Sequence, residues 1–136
     1  MTVVEELIRA EKDGRLSFGN YLLANKQKVQ DFELDGNLYY VKTYNEITRV
    51  EKNGRLLYES VPGTAVFNMA ENANGINFSV MGKGSCQITL ELMESAEYKI
   101  FFDDINAGKV KSNLSGKSSF SVDFQKKPVS VRLEKV

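Results

Sequence analysis

The chain lacks histidine and tryptophan altogether and has a single cysteine, Cys86, among its 136 residues. Without histidine it has neither the most common general base nor the most common metal ligand of proteins. A lone cysteine forms no intramolecular disulfide and no multi-cysteine zinc site, and because Cys86 begins an apolar segment we expect a buried structural thiol. The absence of tryptophan removes the strongest aromatic surface for sugars, bases and quaternary amines. We therefore expect no metal and no cofactor.

The chain also lacks an excess of either charge and any long apolar run. Its 18 Lys and Arg residues balance 18 Asp and Glu residues, so the formal net charge is zero. No overall field steers such a chain onto nucleic acid or anionic lipid, and we expect neither as a partner. No apolar run approaches the ~20 residues of a membrane helix, and residues 1–8 lack the apolar centre of a secretion signal. We expect one cytoplasmic domain that spans residues 1–136.

A repeated turn motif dominates the first half of the chain. Residues 6–18 read ELIRAEKDGRLSF and residues 46–58 read EITRVEKNGRLLY, with seven of thirteen positions identical, and residues 33–40 (ELDGNLYY) are a shorter copy. Asp-Gly and Asn-Gly favour the positive φ angles of tight hairpin turns, and the Leu and aromatic residues that follow lie two apart, on one face of a strand. The motif predicts hairpins at four glycines, namely Gly14, Gly36, Gly54 and Gly75.

Apolar and polar residues alternate through the second half of the chain. Residues 88–92, 98–102, 120–124 and 129–133 each place apolar side chains at every second position. This period of two is typical of strands with one buried face, as in antiparallel sheets. We predict an all-β protein: an antiparallel β-sandwich with jelly-roll character, built from about ten short strands in successive hairpins. A flattened barrel is the alternative.

Three carboxylates are candidates for hydrolytic chemistry. Asp31, Glu33 and Asp35 alternate in a predicted strand, so their side chains would share one face at intervals of ~7 Å, a separation compatible with glycoside hydrolysis. The competing interpretation is a solvated strand face, which is favoured. Residues 103–108 (DDINAG) contain part of a calcium-loop pattern but lack its late glutamate, so a β-turn is predicted there and no metal site.

Two arginines from the repeat are candidates for binding. Arg15 and Arg55 would converge if the two repeat hairpins packed side by side, and paired guanidinium groups bind carboxylates or phosphates well. Each arginine would otherwise pair with Glu11 or Glu51 across its own turn, an interaction with no functional meaning.

Tyrosines are concentrated in the first half of the chain. Tyr39, Tyr40 and Tyr44 would suit a groove for sugar rings or for an extended peptide, because tyrosine favours surfaces where one end of the ring stays wet. The alternative is that Tyr40 and Tyr44 border the core and that Tyr39 belongs to a cross-strand pair.

Four segments resemble a small bacterial family of proteins of about this length that carry the label endosialidase. The segments are GRLSFGNY, VKTYNEITRVEKNG, YESVPGTAV and NAGKVKSNLSGKSSFSVDF, and they extend over most of the chain. The label implies hydrolysis of polysialic acid. The second half also resembles the terminal sandwich modules that are attached to glycan-active enzymes.

Two hypotheses about function follow. The favoured one is a non-catalytic β-sandwich that binds a glycan or another protein, or that serves as a structural subunit. Zero net charge and exposed strand edges would also allow a weak homo-oligomer. The alternative is a small glycan hydrolase, as the family label implies, with Asp31, Glu33 and Arg55 as its candidate residues.

Overall fold

The computed structural model describes residues 3–136, and within that range it contains thirteen β-strands and no helix. In chain order the strands are β1 (Ile8–Ala10), β2 (Leu16–Phe18), β3 (Gln27–Leu34), β4 (Asn37–Thr43), β5 (Thr48–Lys52), β6 (Arg55–Val61), β7 (Thr64–Asn72), β8 (Gly75–Gly82), β9 (Ser85–Glu91), β10 (Glu97–Phe102), β11 (Ile105–Lys111), β12 (Lys117–Asp123) and β13 (Val129–Lys135).

The strands form two antiparallel sheets that make a sandwich and are not closed into a barrel. The first sheet has the order β1-β2-β7-β8-β13-β10-β11, and the second has the order β12-β9-β6-β5-β4-β3. The predicted antiparallel sandwich is confirmed, and the flattened barrel is wrong. More strands are present than the ten expected, because β1 and β2 have only three residues each and the polar β11 shows no alternation in sequence.

The repeated turn motif forms hairpins at all four predicted positions. The glycines lie between β1 and β2, β3 and β4, β5 and β6, and at the start of β8. In the third hairpin Asn53 and Gly54 both have positive φ angles, 52° and 81°, as a tight primed turn requires. The turn residues that the repeat shares therefore determine where the chain reverses.

The core lies between the inward faces of the two sheets. Alternate residues of β9 and β13 are buried, as their period of two predicted, and β8 shows the same pattern. Three aromatic rings pack edge to face at its centre: Tyr58 lies 5.2 Å from Phe18 and 5.8 Å from Phe78, measured between ring centroids. Edge-to-face pairs at such distances add stability beyond the area that they bury.

Buried hydroxyl groups link the two sheets where β6 leads into β7. Thr48 of the second sheet donates its hydroxyl to the Thr64 carbonyl of the first sheet (2.8 Å) and accepts the Thr64 amide (3.0 Å). The Thr64 hydroxyl in turn lies 2.7 Å from both the Tyr58 and the Ser60 hydroxyls. All four residues are buried, so these bonds satisfy polar groups that have lost contact with water.

Candidate functional site

Hairpin turns from both sheets meet at one end of the sandwich around a cleft of about 320 Å³. The cleft, which we call the turn-end cleft, is lined by the β1–β2 turn (residues 13–16), by the β3–β4 turn (residues 34–39), by Lys52 of β5 and Leu57 of β6, and by residues 69–71 of β7. Its volume lies at the small end of the range for ligand sites. The turn motif therefore supplies much of the wall of the cleft.

The floor of the turn-end cleft is apolar, and its rim is charged. Three buried core residues, Leu16, Leu57 and Met69, form part of the floor. The rim carries three acidic and two basic side chains, namely Asp13, Asp35, Glu71, Arg15 and Lys52. The rim therefore has an excess of one negative charge.

Most of the rim charges are paired. Arg15 Nε lies 3.3 Å from Asp13 Oδ2, and Lys52 Nζ lies 3.3 Å from Glu71 Oε1. Among the described residues Asp35 makes no ion pair. Its carboxylate lies beside the β1–β2 turn, with Oδ2 3.8 Å from the position that a Cβ atom on Gly14 would occupy. Asp35 is thus the one rim carboxylate that no cation of the described residues pairs with.

Tyr39 lies at the inner wall of the turn-end cleft. Only 7% of it is exposed, and it pairs with Phe32 and Lys52 on the neighbouring strands. Burial raises the pKa of the Tyr39 phenol, and the Lys52 ammonium partly opposes this effect. The hydroxyl therefore keeps its proton at neutral pH, and the ring is part of the core as well as of a cross-strand pair.

Two of the three candidate tyrosines share a second depression. Tyr40 is half-buried and, together with Tyr39, Asp31 and Leu38, lines a shallow depression of about 360 Å³. Tyr44 lies in the β4–β5 connection, where its amide donates to the Ile47 carbonyl (3.0 Å). The three tyrosines do not line one common groove.

The two candidate arginines do not converge. Arg15 lies in a hairpin of the first sheet and lines the turn-end cleft, whereas Arg55 belongs to the second sheet and lies 2.8 Å from Glu91. Neither arginine pairs with the glutamate of its own hairpin, because Glu11 and Glu51 are bound by other arginines.

Those other arginines occupy matching positions of the repeat. Arg9 Nε lies 3.0 Å from Glu11 Oε2, and Arg49 Nε lies 3.3 Å from Glu51 Oε2. The Ser17 hydroxyl also donates to Glu11, and this bond together with Arg9 lowers the pKa of the Glu11 carboxyl, against the effect of burial. The matching pairs explain why the repeat keeps an arginine and a glutamate two residues apart.

Asp31 and Glu33 both lie on the exposed face of β3, and Phe32 and Leu34 between them are half-buried. The register between β3 and β4 shifts between Val29 and Phe32, where Asp31 has a φ of 57°, and Asp35 belongs to the turn with a φ of 52°. Asp31 and Glu33 are both exposed, and neither the turn-end cleft nor the depression beside Tyr40 is lined by both. The alternation expected of Asp31 and Glu33 is thus present on an exposed strand face, whereas Asp35 lies beyond the strand in the turn.

Sequence reasoning missed Asp13, Lys52 and Glu71 as residues of the cleft. Asp13 and Lys52 stand next to turn residues of the repeat, so their position near a hairpin end was available from the motif. That the turns of two different sheets enclose one cleft depends on how the sheets pack, which the motif does not encode.

No protein-family model, curated protein or solved structure matches the chain. Across residues 3–136 the structure has no helix with the length and apolar character needed to cross a membrane. In the same range no cluster of three or more acidic or cysteine side chains is arranged to hold a metal ion.

Proposed function

We propose that the protein is a non-catalytic β-sandwich module that binds a glycan in the turn-end cleft. The observation that carries this proposal is the carboxylate of Asp35, which makes no ion pair within residues 3–136, on a rim whose other charges are paired. A free carboxylate beside guanidinium, ammonium and phenol donors suits sugar hydroxyls, because each hydroxyl both donates and accepts hydrogen bonds.

The charge of the rim favours a neutral glycan over an acidic one. Three carboxylates face two cations there, and a ligand with its own carboxylates would meet an excess of negative charge. We therefore expect neutral oligosaccharides to bind and polysialic acid not to bind.

The alternative of a small glycan hydrolase receives less support from the same residues. Glycoside hydrolysis requires one carboxylic acid that carries a proton and a second carboxylate across the scissile bond. Asp13 and Glu71 are each already engaged in an ion pair, with Arg15 and Lys52 respectively. Asp31 and Glu33 are exposed on an edge strand, outside the turn-end cleft.

The proposal is tested by titrating isotope-labelled protein with neutral and sialylated glycans while recording amide and sugar spectra. We expect shifts confined to residues 13–16, 34–39, 52 and 69–71 with neutral glycans. Asp35→Asn should weaken binding about tenfold, because hydrogen bonds to a charged acceptor contribute more than those to a neutral one. Asp123→Asn, which alters an exposed carboxylate on β12, is the matched control and should bind normally.

Three results would overturn the proposal. One is the absence of shifts in the cleft with every neutral glycan at millimolar concentration. Another is binding that Asp35→Asn leaves unchanged. The third is the appearance of new reducing-end sugar signals, which would instead support the hydrolase and would then be retested with Asp31→Asn and Glu33→Gln.

A further inference from the structure

The edge strand β12 of the second sheet has a regular and unprotected edge. It pairs with β9 without any register shift from Lys117, opposite Glu91, to Asp123, opposite Ser85. Its central residues 118–122 (SSFSV) include neither a charge nor a proline. The unpaired backbone groups of such an edge can form hydrogen bonds with another strand. Proteins usually prevent this pairing with charged residues, prolines, bulges or very short edge strands.

The other three sheet edges are protected in these ways. β1 has only three residues. β3 is interrupted by the bulge at Asp31. β11 carries Lys109 and Lys111, and its pairing with β10 shifts register between Ile100 and Phe101. β12 is therefore the edge on which strand pairing meets the least obstruction.

Hydrogen bonds at the two ends of β12 show which backbone groups face the open edge. The Phe124 amide donates to the Gly84 carbonyl (2.7 Å), and the Leu92 amide donates to the Gly116 carbonyl (2.7 Å). In an antiparallel pair, residues that exchange such bonds alternate with residues whose N–H and C=O groups point away. Even-numbered residues of β12 thus face β9, and odd-numbered residues face the open edge.

One of the odd-numbered residues is already satisfied. The Lys117 amide donates to the Asn113 side-chain oxygen (3.0 Å), and the Lys117 carbonyl accepts the Asn113 amide (3.0 Å). Ser119, Ser121 and Asp123 remain, and among the described residues their backbone groups have no partner on the open side. These three residues are evenly spaced about Ser121.

We propose that β12 pairs antiparallel with β12 of a second copy of this chain, around a two-fold axis that passes through Ser121. This axis places Ser121 opposite itself and Ser119 opposite the second copy's Asp123, so that all the free backbone groups are paired. Moving the axis to Phe120 would place Asp123 opposite Lys117, whose backbone groups are occupied by Asn113. The pairing forms an isologous interface and joins the second sheets of both copies.

The side chains of β12 complement one another in this register. On the inner face, Phe120 lies opposite the second copy's Val122, and aromatic and β-branched residues are a favourable cross-strand pair. Phe120 is only half-buried in the single chain, where its ring centroid lies 6.0 Å from that of Phe102. On the outer face, Lys117 lies diagonal to the second copy's Asp123, and neither forms an ion pair among the described residues. This match of the strand with itself is why a second copy is the expected occupant.

The interface is short, so we expect a weak dimer that is measured best at high protein concentration. Sedimentation velocity over a concentration series that reaches the millimolar range should show reversible dimerisation. Amide exchange at Ser119, Ser121 and Asp123 should slow as the dimer forms. Ser121→Pro should abolish dimerisation without unfolding the chain, because proline is tolerated where the N–H points to an open edge. Lys109→Pro, at an outward position of β11, is the matched control and should still dimerise.

Because Ser121 lies on the proposed two-fold axis, it faces Ser121 of the second copy. Charged substitutions at this position therefore test the register of the pairing directly. Ser121→Lys and Ser121→Asp should each raise the dissociation constant of the dimer about fivefold, because like charges then lie directly opposite each other. An equimolar mixture of the two variants should form a heterodimer at least as tight as the wild-type dimer. Gln87→Lys places the same charge on the same face one strand inward, opposite Ser121 within the chain, and should have little effect.

Two outcomes would overturn the proposal. The first is a protein that stays monomeric at millimolar concentration. The second is a dimer whose dissociation constant responds to none of the Ser121 substitutions, which would assign the contact to another surface. Because the β12 edge shares no residue with the turn-end cleft, either outcome leaves glycan binding unaffected.

Discussion

Cys86 and Tyr58 show how strongly the core alters individual side chains. Only 6% of Cys86 is exposed, and burial raises the pKa of its thiol from the ordinary value of 9.0 to about 12. Burial likewise raises the pKa of Tyr58, although hydrogen bonds from the Thr64 and Ser60 hydroxyls oppose the effect. Both groups therefore stay protonated in the folded protein at pH values where the unfolded chain loses their protons.

This difference predicts a loss of stability at alkaline pH. Between pH 9 and 12 the unfolded thiol of Cys86 is ionised while the folded thiol is not, so stability falls as pH rises through that window and is unaffected below it. At pH 10 the ionisation of the unfolded Cys86 thiol should lower the free energy of unfolding by about 1 kcal/mol. Urea denaturation of the wild type and of Cys86→Val, at pH 7 and pH 10, isolates this contribution. Parallel pH dependences for the two proteins would contradict the prediction.

The four turn glycines have similar sequence contexts but different structural surroundings. Gly54 has a φ of 81° and open space where a side chain would begin. Gly75 has a φ of 153°, and a side chain there would begin 1.8 Å from the Leu133 carbonyl oxygen of β13. The first glycine meets only the conformational requirement of a turn, whereas the second also allows β13 to lie close to β8.

Substitution of these two glycines should therefore have unequal effects. Gly54→Ala should cost about 1 kcal/mol, because only the left-handed backbone conformation is penalised. Gly75→Ala should cost about 3 kcal/mol or more, because the added methyl group overlaps backbone atoms of the adjacent strand. Chemical denaturation measures both values, and Gly36→Ala, which also has open space, is the control for Gly54→Ala. Equal losses of stability for Gly54→Ala and Gly75→Ala would show that β13 moves to accommodate the methyl group.

The hydroxyl cluster around Thr48 and Thr64 acts on the whole molecule because it joins the two sheets. Thr48 also lies 2.8 Å from the Thr43 hydroxyl, which accepts the Asn20 amide from the connection between β2 and β3. The cluster thus connects strands of both sheets to the segment between β2 and β3 through hydrogen bonds. A buried network of this kind stabilises the fold only while every member remains satisfied.

Thr48→Val should destabilise the protein by about 2 kcal/mol, because the substitution leaves the buried Thr64 amide without its acceptor. Thr89→Val, which removes a single exposed hydroxyl contact with Ser119, is the control and should change stability by less than about 0.5 kcal/mol. Thermal and urea denaturation give both values. A loss at Thr48 no larger than that at Thr89 would mean that water or another acceptor replaces the hydroxyl.

Local sequence patterns predicted the fold more fully than the candidate site. Hairpins at Asp-Gly and Asn-Gly and buried alternation in β9 and β13 are confirmed, because both depend on neighbouring residues only. The bulge before Phe32 was not predicted, although Asp31 and Glu33 still share the exposed face of β3. Arg55 lies beside Glu91, a residue 36 positions along the chain, which no local pattern identifies.

The amino-acid sequence by itself determined the all-β class, the antiparallel hairpins and the inward face of most strands, because turn propensity and a period of two act over a few residues. Only the tertiary structure decided which hairpins share a sheet, that Tyr39 and Tyr40 line one depression while Tyr44 lies elsewhere, and which edge is open. These features arise from the packing of strands that are distant in sequence. Which strands become neighbours depends on how the two sheets pack together, and not on the residues adjacent in sequence.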